Sequence, residues 1–93
     1  MSNLEVVIDP DIEAAAIYFS RGYSAQVISF GEDVNVDLSQ DGEIAAVEFL
    51  YFGKLNYTAT ELRALNDAPQ RVIEAVIDAQ QALAEHLAKA TTN

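Results

Sequence analysis

Polar and apolar residues alternate strictly in "DVNVDL", where Val34, Val36 and Leu38 interleave with Asp33, Asn35 and Asp37. Period two marks a strand with one buried face. Asp41-Gly42 follows, then "EIAAVEFLYF" (Glu43 to Phe52), an apolar run rich in strand formers. A strand, a short Asp-Gly loop and a second strand predict a hairpin. A type I turn through Gln40-Asp41 with Gly42 left-handed suits it, because glycine has no Cβ to clash there. Upstream, "LEVVI" (Leu4 to Ile8) closes on Asp9-Pro10. "AAAIYFS" (Ala14 to Ser20) is broken by Arg21-Gly22, and "YSAQVISF" (Tyr23 to Phe30) follows. These read as three more strands.

After Gly53 the period changes. Thr58-Ala-Thr-Glu61 is a capping box, with Tyr57 and Leu62 placed to staple it, and predicts a short helix over Ala59 to Leu65. Asp67-Ala-Pro69 offers a second start, with Asp67 as cap and Pro69 in the first turn. No breaker follows until about Ala90. Val72, Val76, Ala79, Leu83 and Leu87 form one helical face, with Ile73 and Ile77 beside it and Gln80 read as outer-face. Such a helix, about 33 Å long, exceeds strands of about 17–20 Å. Its stripe therefore predicts a second cover, most simply another copy of the chain, with Val76, Leu83 and Leu87 at a homodimer interface.

The expected fold is α+β: an antiparallel β-meander of four to five strands, then one short and one long helix. A chain of 93 residues suits a single domain (1–93), with a sheet part (1–53) and a helical part (54–93). Hydrophobic residues make up 51% of it, enough for a core.

Charge narrows the function classes. Fifteen acids against five bases give a net charge of −10. That disfavours nucleic acid and anionic membrane surfaces, and permits a basic protein partner. With no cysteine there is no disulfide or thiolate chemistry. "MSNLEVVID" has neither a basic n-region nor a long apolar run, and no run approaches membrane-spanning length, so a cytoplasmic location is expected.

The spacing of Asp33, Asn35, Asp37 and Ser39 resembles oxygen ligands in a calcium loop. Such a loop needs glycine at its sixth position and glutamate at its twelfth; here those positions hold Leu38 and Ile44. The stretch is read as a hairpin with an acidic outer face, and neither a metal nor a cofactor is expected.

"DPDIEAAAIYFS", a spacer and "VNVDLSQDGEIAAVEFL" resemble the bacterial family described as domain of unknown function 2283. The family runs Asp-Pro-Glu-x-Asp/Asn-Ala, a strand, a spacer, a valine-rich strand, Asp-x-Asp-Gly, and a strand ending Ile-Glu-Ile/Phe-Leu. The matching positions are Asp9, Pro10, Ala14, Ile17, Val36, Asp37, Asp41, Gly42, Ile44, Val47, Glu48 and Leu50. The resemblance covers roughly residues 4–52. It departs at Ala16, where the family usually has tyrosine. It implies a fold and no activity.

Among candidate site residues, Glu48 stands out between Val47 and Phe49. If Ser39 pairs with Glu43, continuing that register puts Glu48 opposite Val34, on the buried face, where a carboxylate needs a partner. Glu48 and Asp37 are therefore candidate ligand-binding residues, with Asp9 as a third. Asp9 also suits a turn-former bonding the backbone two residues on. His86, the single histidine, reads as a solvated residue near the helix end. Tyr18, Tyr23, Tyr51 and Tyr57 read as amphipathic packing residues. Phosphate loops, dinucleotide fingerprints and nucleophile elbows are missing from the sequence. The expected function is a non-enzymatic, homodimeric interaction or regulatory module. The alternative is a small-ligand binder or enzyme using carboxylates around Glu48 and Asp37.

Overall fold

Seven elements form where the two periodicities place them. They are β1 (Glu5–Asp9), β2 (Ala14–Tyr18), β3 (Gln26–Phe30), β4 (Val34–Leu38), β5 (Ile44–Phe49), α1 (Ala59–Leu65) and α2 (Gln70–Ala90). The computed structural model describes residues 4–20 and 23–90, so the Arg21-Gly22 break and residues 1–3 of the N-terminal segment lie outside the described residues. The class is α+β, an antiparallel sheet followed by two helices, as expected.

Strand order is β1-β2-β5-β4-β3, with every neighbouring pair antiparallel. Only β3-β4-β5 runs as a meander. The β1-β2 hairpin docks on β5 and not on β3, so the sheet is two local pieces joined through β2 and β5. The physical reason lies in β5. Ala45, Ala46, Val47 and Phe49 are all buried, which suits a strand flanked on both sides. β3, with Gln26, Val27 and Ser29 exposed, suits an edge.

One face of the sheet is dry. Ile17, Phe30, Val34, Val36, Val47 and Phe49 are fully buried against Leu62, Val72, Ile73, Val76 and Leu83 from the helices. The sheet part and the helical part thus share one core. Both helices pack on this side, and α2 touches β1, β2 and β5.

Local chemistry sets the helix starts. Glu61 N donates to Thr58 Oγ1 (3.1 Å) and Thr58 N donates to Glu61 Oε1 (2.9 Å), completing the capping box. α2 begins two residues later than the Asp67 cap implied. The carbonyl of Pro69 accepts from Val72 N and Ile73 N, so Pro69 occupies the cap position and Asp67 stays exposed ahead of it.

The apolar stripe of α2 is covered within the chain. Val76 and Leu83 are 0% exposed and Leu87 is half-buried. The cover the sheet lacks comes from the β5–α1 connection, where Phe52, Leu55 and Tyr57 join the core. The residue read as outer-face holds that connection down: Gln80 is buried (7% exposed), donates from Nε2 to Tyr57 O (2.7 Å) and accepts from Tyr57 N at Oε1 (3.0 Å). Its amide acts as one rung of a β-ladder. A helix pairing through Val76 and Leu83 would have to unpack this core.

Candidate functional site

The β4–β5 hairpin decides which residues reach the surface. Gly42 N donates to Ser39 O (2.9 Å), Ser39 N donates to Glu43 O (2.9 Å), and Gly42 has φ +81°. That is the expected turn. Leu38 then pairs with Ile44, but Asp37 pairs with Ala46, leaving Ala45 as an extra residue. This is a β-bulge. The Ala45 carbonyl accepts from Phe19 N (2.8 Å) and Ser20 N (3.2 Å) of the neighbouring chain segment. Beyond the bulge every side chain changes face relative to an unbulged register. Glu48 therefore sits opposite Asn35 and not opposite Val34. The expectation that it shares the face of Val34, Val36 and Leu38 is corrected: it projects from the other side, half-buried and uncovered by either helix.

Asp37 and Glu48 lie near one another at the centre of this open face, on adjacent strands β4 and β5. Burial raises the Asp37 carboxyl above its ordinary value, and a hydrogen bond from the Ser24 side chain opposes that rise. Burial also raises the Glu48 carboxyl, and the negative charge of Asp37 adds to the effect. Alongside, the Ser29 hydroxyl donates to Asn35 Oδ1 across β3 and β4 (2.7 Å). The acidic side of the opening alternation is thus on the open face, as expected for Asn35 and Asp37.

The half of the face nearer β1 carries an apolar centre between Glu5 and Asp9. Val7 lies opposite Ala16, and Ala16 opposite Glu48; Tyr18 lies opposite Ala46. Val7 is 48% exposed and Leu50 49%. With Asp9, Ala14, Ala16 and Glu48 they line a shallow hollow of about 190 Å³. Asp9 has the turn role foreseen, accepting from Asp11 N at Oδ1 (3.2 Å), and it also forms one wall of the hollow. Glu48 and Asp9 therefore meet at one site, and Asp37 stands beside Glu48.

The alanines were invisible as site residues, because three alanines in a strand look like filler. A signal did exist: small residues on a strand face leave room above it. Among the four tyrosines, only Tyr57 packs against the core, whereas Tyr23 is 95% exposed. His86 is exposed near the end of α2. Among the described residues no group of three or more His, Cys, Asp or Glu side chains could hold a metal ion, and no helix is long and apolar enough to cross a membrane. No family model, curated protein or solved structure matches this chain, so the likeness to the domain of unknown function 2283 family rests on its own residues.

Proposed function

We propose that this chain is a non-catalytic interaction module that works through the open face of its sheet. One observation carries the reading. Three large apolar side chains, Val7, Tyr18 and Leu50, are 40–49% exposed beside the alanine trough on one face, and Val27 stands apart from them on β3, opposite Asp37. An apolar surface of this kind, rimmed by polar groups, marks an interaction site. The side chains next to Asp37 and Glu48 are hydroxyls and an amide (Ser24, Ser29 and Asn35), suited to positioning a ligand.

A second reading, a small-ligand site, is favoured by the hollow beside Glu48. Its size fits one side chain or a small molecule, and its shallowness favours the former.

Affinity capture from the source cells separates the two. Ala16→Arg fills the trough, and Ala84→Arg adds the same charge on the exposed side of α2. A protein partner recovered with wild type and Ala84→Arg, and lost with Ala16→Arg, supports the module. Equal recovery by all three rejects the open face as the surface. A small molecule retained in native mass spectrometry and lost in Ala16→Arg favours the second reading.

A further inference from the structure

We infer that the occupant of the open face is a basic amphipathic helix of a partner protein. This rests on the reading of the open face as the binding surface and adds the chemistry of what binds there.

Charge selects the sign. The five strands contain no lysine or arginine. They contain four acids, Glu5, Asp9, Asp37 and Glu48, and the strand register puts all four on the open face. Two copies of the chain joined by this face would set acid against acid, each copy carrying a net charge of −10. Like charges brought together across an interface cost several kcal/mol. A cationic partner gains where a second copy loses.

Layout selects the shape. The apolar strip of Val7, Ala16 and Tyr18 on β1 and β2 lies between acidic margins, Glu5 and Asp9 at the two ends of β1 on one side and Glu48 and Asp37 on β5 and β4 on the other. β2 and β4 are two strand spacings apart, about 9.5 Å. A helix with its side chains is about 10–12 Å across. One helix laid along the strands can therefore rest its apolar stripe on the alanine trough and reach both carboxylates with lysines on one flank. The hollow of about 190 Å³ takes one apolar side chain of that stripe. The sheet would then have helices on both faces, a common layer arrangement.

The test uses isotope-labelled full chain and three synthetic 18-residue peptides. The first, of leucine, alanine and lysine, presents an apolar face flanked by lysines. The second has the same composition scrambled, and the third replaces lysine with glutamate. The inference expects saturable binding of the first peptide, with amide shifts centred on Ala16, Ala46, Asp37 and Glu48. The double variant Asp37→Asn/Glu48→Gln should weaken it roughly three- to thirtyfold, as the loss of two surface ion pairs implies. Glu74→Gln/Asp78→Asn, with the same change in net charge on the exposed side of α2, should leave affinity within about twofold. Equal binding of the scrambled peptide, equal weakening by both double variants, shifts on the helical side, or no binding overturns the inference. Failure of the peptide while Ala16→Arg still loses its captured partner removes only the basic helix. Failure of both removes the interaction reading as well.

Discussion

Gln80 offers a sharp test of how the β5–α1 connection is held. Its side-chain amide makes two hydrogen bonds to Tyr57, at 2.7 and 3.0 Å, from a site 7% exposed. Each such bond contributes about 0.5–1.5 kcal/mol net, and an abandoned buried partner costs about 1–3 kcal/mol. Tyr57 is half-buried and both bonds are only partly buried, so water recovers part of that loss. Gln80→Ala should therefore cost about 2–3 kcal/mol. In a domain of this size that corresponds to about 10–20 °C in Tm. Gln80→Glu separates bonding from shape. A carboxylate still accepts from Tyr57 N, but it sets an oxygen lone pair against Tyr57 O; a protonated carboxyl donates there as the amide does. The introduced group thus has a folded pKa above its unfolded value of about 4.3. Its contribution to stability is present below that unfolded value and lost as pH rises through the folded one. The gap to wild type should be wide at pH 7 and narrow near pH 4. Urea unfolding followed by circular dichroism reads both, with the exposed neighbour Gln81→Ala as control, expected within about 0.5 kcal/mol. A Gln80→Ala loss below about 0.5 kcal/mol, or a pH-independent gap for Gln80→Glu, would refute the reasoning.

Three further outcomes are expected. Glu48→Gln should match or slightly exceed wild-type stability at pH 7, because the raised carboxyl is disfavoured in its charged form, and the two should converge as pH falls below the unfolded glutamate value; a clear loss at pH 7 contradicts the open-face placement. Leu83→Ala should cost about 2–5 kcal/mol, as a fully buried leucine does, with no change of mass in light scattering; a shift in oligomeric mass at retained stability would restore Leu83 to an interface. Calcium should raise Tm by no more than the same ionic strength of a monovalent salt, since Val34, Val36 and Leu38 fill the core beneath Asp33, Asn35 and Asp37; a stoichiometric calorimetric signal opposes this.

What could be read from the sequence was what neighbours along the chain decide. The Asp41-Gly42 turn, the Thr58–Glu61 box and the bounds of α1 follow from side chains within four residues of each other. Strand order does not, because it depends on which distant strand best fills the second side of β5. The bulge was hidden because Ala45-Ala46 carries no preference for either face, so nothing locally reveals which of them is the extra residue. Gln80 was misread despite an available signal. At 3.6 residues per turn it lies only about 40° from Val76, inside the apolar stripe. A glutamine in that position announces a buried amide that needs partners. The same burial goes with a stripe that Phe52, Leu55 and Tyr57 of the chain's own connection help to cover.

The bulge at Ala45 also constrains how this hairpin can vary in length. Deleting Ala45 alone closes the bulge into a regular ladder, with Leu38 still opposite Ile44, Asp37 opposite Ala46 and Glu48 opposite Asn35, so every later side chain keeps its side of the sheet. The same single deletion after Ala46 has no spare residue to absorb it and exchanges the sides from there on. Tolerance of a one-residue loss is thus confined to the bulge.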